Sequence, residues 1–400
     1  MTYTPSEEIL DKYADVLINY ALNDYAGVKP GETVVLQVSE CAKPMLHALY
    51  KTVLKAGANP IVQFLPDGLS RTFFECANDD QLAFFPEHLL RGRVQQADHF
   101  CSVIGEVDKH ELKGVPPDKI MRRAQAFKPY RDWREEKENA GKLTWTYALY
   151  GTQAMADEVG SSLEEYWDQI IRACYLDEED PVSSWKQTAQ EIEEIKSWLD
   201  SLKIQEIRVV AENTDLTVRL GPGRKWLGAS GRNIPSFEVF ISPDWRGTNG
   251  HIQFTEPLYR YGNLIKRARL EFTDGIVTSF SAEEGEDVLK EMLKTENANK
   301  VGEFSLTDKR HSRITRFMGE TLFDENVGGE HGNTHIAIGN AYKDSYPGDP
   351  SEVSDGQWQE LGYNESVEHC DIVSTAPRVV TATLADGSQK VIYENGSFTL

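Results

Sequence analysis

Gly328-Gly-Glu-His-Gly-Asn-Thr-His-Ile-Ala-Ile-Gly-Asn-Ala-Tyr342 and, further on, Glu368-His-Cys-Asp371 are the two stretches around which the second half of the chain is organised. Together they contain three of the nine histidines, with carboxylates and a tyrosine. Alternate residues of a strand share a face, so His369 and Asp371 would lie together with Cys370 opposite them. An imidazole and a carboxylate at that spacing can reach one metal ion or two adjacent ones. The pattern predicts the floor of a metal site.

Three further candidate ligands occupy apolar, strand-like segments of the same half, and they are Glu238, Glu303 and His335. A buried carboxylate is costly unless it is paired or binds a metal. A shared metal site would therefore explain why three acids and two histidines occur on apolar strands. Each residue alone has an ordinary alternative. A glutamate can lie on a solvated face, His335 can be a hydrogen-bonded core histidine, and Tyr342 can be a core or surface aromatic.

The remaining histidines of this half are weaker candidates. His311 lies in the cationic run Lys309-Arg-His-Ser-Arg313 and is expected on the solvated surface. His251 and His331 have structural or supporting roles as their default interpretation.

Length and charge limit the classes of protein that the chain can belong to. Four hundred residues predict two domains. Acidic residues exceed basic residues by 22, which disfavours nucleic acid as a partner, although solubility is the simpler explanation of the charge. The five cysteines show no CxxC spacing, so a disulfide framework and a thiolate zinc site are both disfavoured. No N-terminal or membrane-spanning apolar run is visible, and we expect a soluble, cytoplasmic protein without a membrane partner.

The order of elements differs between the two halves. The first half alternates strand and helix, which predicts an α/β domain with a parallel sheet, and no glycine-rich phosphate loop follows its strands. Helices are expected over residues 119–134 and 161–202. Short alternating runs from Ile207 onward, including one over 264–272, predict a β-rich α+β domain with antiparallel strands. We place the domains at residues 1–195 and 196–400.

Several motifs together resemble one known family. They are Arg232-Asn-Ile-Pro, Glu238-Val-Phe, Gly302-Glu303, Leu322-Phe-Asp-Glu-Asn-Val-Gly-Gly, Thr334-His-Ile-Ala-Ile-Gly-Asn-Ala-Tyr342 and His369-Cys-Asp371, with Val28-Lys-Pro-Gly-Glu-Thr-Val in the first half. In this order they are similar to the M29 metallo-aminopeptidases, and the resemblance covers nearly the whole chain.

The resemblance implies an α/β domain followed by a β-rich catalytic domain, a homodimer that encloses the active site, and peptide substrates with a free N-terminus. It implies two divalent ions (Zn, Co or Mn) held by Glu238, Glu303, His335, His369 and Asp371. It also implies that Tyr342 is the catalytic tyrosine. The chain departs from the family at Phe237, where glycine is usual, and at Cys370, where tryptophan is usual.

The mechanism that this resemblance favours is hydrolysis by a water shared between two metal ions. Asp371 is expected to bridge the ions, Glu303 to act also as the base, and Tyr342 to donate a hydrogen bond to the oxyanion. Two alternatives remain open from the sequence. One is a mononuclear iron ring-cleaving dioxygenase of related fold, and the other is a metal-binding protein without turnover.

Overall fold

The computed structural model describes residues 3–400, and it divides into two compact units. The first unit contains the chain up to Thr188 together with Ser230–Ser236, and the second contains Ala189–Ala229 and Phe237–Leu400. The first unit has an α/β fold with a parallel sheet, and the second is rich in strands that form antiparallel sheets. This confirms the predicted fold class. The domain boundary between residues 195 and 196 stays a prediction.

The elements up to residue 201 alternate between helix and strand. In chain order they are α1 (Glu7–Asn19), β1 (Thr33–Ser39), α2 (Lys43–Lys55), β2 (Asn59–Leu65), α3 (Leu69–Cys76), α4 (Asp79–Ala83), α5 (Glu87–Gln96), β3 (His99–Ile104), α6 (Pro117–Ala126), α7 (Lys128–Asn139), β4 (Thr144–Leu149), α8 (Gln153–Glu158), α9 (Leu163–Ala173) and α10 (Pro181–Ser201).

The elements after residue 201 are mostly strands. They are β5 (Ile204–Ala211), β6 (Thr214–Arg219), β7 (Leu227–Gly228), β8 (Asn233–Ile234), β9 (Glu238–Ile241), β10 (Asn249–Gln253), β11 (Leu258–Arg260), β12 (Asn263–Ile265), β13 (Arg269–Thr273), β14 (Ile276–Ser281), α11 (Glu286–Leu293), β15 (Val301–Thr307), α12 (Thr321–Asp324), β16 (Asn333–Gly339), α13 (Asp355–Leu361), β17 (His369–Ser374), β18 (Arg378–Leu384), β19 (Gln389–Glu394) and β20 (Ser397–Phe398). Short 3₁₀ helices cover Glu40–Ala42, Trp245–Gly247, Lys343–Ser345 and Pro350–Glu352.

The first unit is built on a parallel sheet in the order β2-β1-β3-β4-β8. Its first helix, α1, begins after Ser6, whose side chain accepts a hydrogen bond from the Ile9 N–H at 3.3 Å. The apolar stripe of α1 is fully buried at Tyr13 and Leu17. The edge strand β8 belongs to Ser230–Ser236, so a short segment from the second half of the chain completes this sheet.

The second unit contains three antiparallel sheets. An eight-stranded sheet has the order β14-β13-β10-β6-β5-β18-β19-β20, and β11 and β12 form a separate hairpin. The third sheet has the order β17-β16-β15-β9-β7 and carries the candidate ligands. On one of its faces Phe304, Ile336 and Ile372 are paired across three strands and fully buried. The alternation of side chains therefore places the polar residues of these strands together on the opposite face.

Three predicted elements are interrupted. The helix expected over 119–134 is two helices, α6 and α7, because Pro129 fits only the first turn of a new helix. The helix expected over 161–202 breaks between α9 and α10, where Tyr175 adopts a positive φ of 58°. The strand expected over 264–272 is divided into β12 and β13 by Arg267, whose φ is 49°. Within residues 3–400, no helix is long and apolar enough to cross a membrane.

Candidate metal centre

The five predicted ligands lie on one face of the sheet β17-β16-β15-β9-β7. Glu303 is paired with Ala337 on β16, which is paired in turn with Asp371, so the two acids flank a small residue on the strand between them. His335 lies two residues before Ala337 and so on the same face of β16, and His369 is the first residue of β17. The register therefore brings together residues that are far apart in the sequence.

Two further pairs complete this face. Glu238 on β9 is paired with Thr307 on β15, two residues beyond Ser305 on the same face. Gly339 is paired with His369 at a φ of 102°, and a Cβ there would lie 2.1 Å from the Glu368 carbonyl oxygen. Only glycine therefore allows β16 to approach the first residue of β17 this closely.

The side-chain atoms converge on the imidazole of His335. Its Nε2 lies 2.9 Å from Glu303 Oε1, 3.2 Å from Glu238 Oε2 and 3.8 Å from Asp371 Oδ1. Asp371 Oδ1 lies in addition 3.4 Å from His369 Nε2. One oxygen of Asp371 is thus within 4 Å of both imidazoles, which is the position expected of a shared ligand.

Burial and mutual charge change the proton affinities of this cluster. Burial raises the pKa of Glu303 to about 7, and the charges of Glu238 and Asp371 act in the same direction. Burial opposes protonation of both histidines, but the neighbouring acids outweigh it. They hold the pKa of His335 well above its usual range and raise that of His369 to about 9. Burial would raise the pKa of Asp371 too, but the charge of His369 outweighs it and lowers that pKa to about 2.

The donor set fits divalent metal ions. Glu238, Glu303 and His335 each offer a ligand atom within 4.8 Å of the other two, and all three are buried. Asp371 Oδ1 and His335 Nδ1 are buried atoms without a hydrogen-bond partner. A buried carboxylate oxygen that accepts no hydrogen bond is unfavourable, and a bound cation would remove that cost. Oxygen and imidazole donors are the ligands that zinc, manganese and cobalt accept.

Tyr342 lies beside the second histidine. Its ring is 5.0 Å from the His369 ring, centroid to centroid, and 5.9 Å from the Phe240 ring. Its backbone N–H donates to Ser242 Oγ at 2.8 Å, just after the end of β9. His369 is held from its other nitrogen, since Nδ1 lies 2.9 Å from the Asn340 carbonyl oxygen. The Tyr342 ring therefore packs directly against one of the five predicted ligands.

Other candidate residues lie outside the cluster. His311 is half-buried, and its Nδ1 lies 3.0 Å from Glu191 Oε2, so it is not the fully solvated residue that the sequence predicts. His331 lies 3.9 Å from Glu330, and His251 lies on β10 of the eight-stranded sheet. Cys370 is paired with Ile338, on the face opposite the ligands.

Two residues beside the centre had no assigned role in the sequence. Ser305 is fully buried and its hydroxyl donates to Glu238 Oε2 at 3.0 Å. Glu325 follows α12 and is 5% exposed. Burial raises its pKa well above the usual range, and the charges of Glu238 and Asp371 add to the effect. Glu325 lies in the Leu322–Gly329 motif, which covers most of the short helix α12 and the turn after it instead of a strand, so alternation could not indicate where its side chain points.

Carboxylates and imidazoles gathered on one face of a buried sheet form a candidate metal centre of the kind that metal-dependent hydrolases use. Residues 6–398 match the family described as thermophilic metalloprotease (M29). The chain belongs to this family and is a metallopeptidase.

Its similarity to individual proteins extends over the whole chain. It is 30% identical to "Aminopeptidase PepS" of Streptococcus thermophilus and 26% identical to "Aminopeptidase T" of Thermus thermophilus, with 98% of each chain covered in both cases. The solved structure "Wild-type AmpT from Thermus thermophilus" matches with a TM-score of 0.84 at 24% identity, over 98% of this chain and 100% of that one. At that level of identity the structural match supports the fold.

Proposed function

We propose that the protein is a two-metal aminopeptidase that releases N-terminal amino acids from peptides, with its catalytic domain in residues 196–400. The observation that carries the proposal is the convergence of Glu238, Glu303, His335, His369 and Asp371 on one sheet face. Membership of the M29 family and the aminopeptidase names of the relatives support it. They lend no support to the iron dioxygenase or to a metal-binding protein without turnover.

The geometry favours two ions that share one ligand. Glu238, Glu303 and His335 would hold one ion, His369 would hold the other, and Asp371, which lies near both imidazoles, would bridge them. When bound, the ions would supply a water of lowered pKa and a polarised carbonyl. We propose zinc, cobalt or manganese as the metal, because each accepts oxygen and imidazole ligands.

The chain's own residues would then move the protons. Glu303 would take a proton from the attacking water and give it to the leaving amine as the C–N bond breaks. The Tyr342 hydroxyl would donate a hydrogen bond to the oxyanion that forms when the water oxygen bonds to the carbonyl carbon. Ser305 would keep the Glu238 carboxylate in place through its hydrogen bond.

Metal reconstitution tests this function. The metal-stripped protein is loaded with zinc, cobalt or manganese, the bound metal is counted, and an aminoacyl-p-nitroanilide is compared with its N-acetylated form. We expect two ions per chain and hydrolysis of the free-amine substrate alone. His369→Gln should lose metal, whereas His331→Gln, a change outside the cluster, should keep it. A single ferrous ion, or no hydrolysis of any aminoacyl substrate, would contradict the proposal.

We also propose a homodimer that forms through the edge strand β2. Ile61, Val62 and Phe64 on this strand are 38–43% exposed, and an apolar edge of this length is normally covered. The strand Asn59–Leu65 contains no charged residue, so two copies of a chain with a net charge of −22 could meet there without bringing like charges together. Sedimentation should show a dimer that Val62→Lys dissociates. A monomeric wild-type protein would contradict this assignment.

A further inference from the structure

One predicted ligand of the metal centre, His369, lies at the end of an edge strand. In the order β17-β16-β15-β9-β7 the strand β17 is outermost, so this sheet pairs it on one side only. His369 is the first residue of β17, and the ends of elements open more easily than their centres. A metal ligand has to be held within about 0.5 Å of its productive position. We therefore expect further contacts to fix the start of this strand.

Glu368, the residue before His369, shares a backbone partner with the histidine. The Asn340 N–H donates to the Glu368 carbonyl oxygen at 2.6 Å, and the Asn340 carbonyl oxygen lies 2.9 Å from His369 Nδ1. One residue of the neighbouring chain segment thus holds both the Glu368 backbone and the His369 ring. Because Glu368 and His369 are adjacent, a displacement of Glu368 would also displace the imidazole.

The Glu368 side chain is held by residues outside this sheet. It is buried, its carboxylate forms an ion pair with the Arg260 guanidinium, and its Oε1 accepts a hydrogen bond from the Tyr261 hydroxyl at 2.5 Å. Arg260 ends β11, and Tyr261 lies in the turn that leads to β12. Alternation directs the Glu368 side chain away from His369, towards the side of Cys370. The Glu368 carboxylate therefore binds the β11–β12 hairpin and not the ligand cluster.

The hairpin is attached to β17 at a second point. The N–H groups of Thr255 and Glu256 both donate to the Val373 carbonyl oxygen, at 3.2 and 3.1 Å. Val373 is the last but one residue of β17, whereas Glu368 directly precedes the first. The segment from Thr255 to Tyr261 is thus fixed to this strand at both of its ends. The ion pair with Glu368 therefore comes from a support that is itself anchored.

We propose that Arg260 and Glu368 are positioning residues for the metal ion that His369 holds, so that a hairpin outside the ligand sheet supports this ion. The inference rests on the two ions of the proposed function. A buried carboxylate without a partner is unfavourable, so loss of the Arg260 guanidinium would drive Glu368 towards water and displace His369 with it. The ligands proposed for the other ion lie on β9, β15 and β16, and we expect its affinity to stay unchanged.

The zinc affinities of the two ions, measured separately by competition with chelators of graded strength, test the inference without turnover. His369→Gln identifies the ion that this histidine holds. Arg260→Gln and Glu368→Gln should weaken the same ion about 10–100-fold and leave the other unchanged. Arg260→Lys keeps a cation for Glu368 and should weaken it less than Arg260→Gln. The matched control, Arg267→Gln, removes an exposed ion pair with Glu283 just after β12 and should change neither affinity.

Two results would overturn this inference alone. One is that both variants bind the two ions as the wild-type protein does. The other is an equal loss of affinity for both ions, which an ion pair that only stabilises the fold would produce.

If either variant does not fold, Tyr261→Phe decides the matter, because it removes one hydrogen bond to Glu368 and leaves the carboxylate paired with Arg260. A loss of about 3–10-fold for the His369 ion alone supports the inference, and unchanged affinities oppose it. A wild-type protein that binds a single ion would contradict the two-metal function, and the inference with it.

Discussion

Loading the metal-free protein with its ions should release protons, and the number released should depend on pH in a defined way. A histidine must be neutral to bind a metal, so every proton that the metal-free cluster holds on a ligand is displaced. The pKa of His369 is raised to about 9 and that of His335 lies well above its usual range. At about pH 8 both imidazoles are protonated before loading, and we expect the release of about two protons per chain.

The pH dependence follows from the third proton in the cluster. Glu303 has a pKa of about 7, so at about pH 6 its proton is also displaced and the release should approach about three. At about pH 10 His369 is already neutral, and its proton should no longer contribute to the release. At about pH 8, a rise of one pH unit should therefore strengthen the overall binding of the metal pair about 100-fold, since two protons are exchanged.

Calorimetric titration of the metal into the stripped protein, in buffers that differ in ionisation enthalpy, counts the protons directly. His369→Gln should release about one proton fewer at about pH 8, and His331→Gln should match the wild-type protein. A release near zero at that pH would show that the imidazoles are neutral before loading. The acids would then not stabilise the imidazolium ions as the distances require, and the reasoning would be refuted.

Three further predictions follow from single contacts. Tyr342→Phe should lower kcat about 10²–10³-fold with metal content unchanged, measured by steady-state kinetics and metal analysis, and an unchanged kcat would remove the hydroxyl from the mechanism. Ser305→Ala removes the donor to Glu238 Oε2 and should weaken metal binding about 10–100-fold in a chelator competition assay, whereas equal affinity would show that the hydrogen bond is dispensable. In the metal-free protein the raised pKa of His369 stabilises the fold fully below about pH 6.5, and this is lost as pH rises through about 9. Up to about 3 kcal/mol of unfolding free energy should disappear in chemical denaturation over that window, with Glu303 acting in the same direction between about pH 4.5 and 7.

The ligand residues could be predicted from the sequence because ionisable side chains are unusual in segments that otherwise have the pattern of buried strands. Glu303 and His335 lie on segments whose other residues are mostly apolar or uncharged, and His369 and Asp371 have the alternation of one strand face. The structure brings these four residues together, although the distances depend on strand register. No local pattern states that Ala337 is the residue paired between Glu303 and Asp371.

Other features depend on long-range pairing or on the backbone. The two-residue strand β8 is too short to show periodicity, and its place beside β4 arises from tertiary packing. The break after α9 depends on a positive φ at Tyr175, a residue that rarely signals one. Glu325 is placed by hydrogen bonds from Thr307 and Asn333, which act across the fold. Such contacts are visible only after the strands are paired.

The sheet can hold like charges together because its opposite face supplies the stabilisation. Phe304, Ile336 and Ile372 are fully buried behind the ligand face, and each contributes about 1.5–3 kcal/mol through burial of its side chain. The strands that carry Glu303 and Asp371 are thus paired in register by apolar packing, and the carboxylates stay close despite their repulsion. Metal binding then removes that repulsion without having to create the pairing. The centre is therefore largely formed before the ions bind, which reduces the ordering that binding must otherwise accomplish.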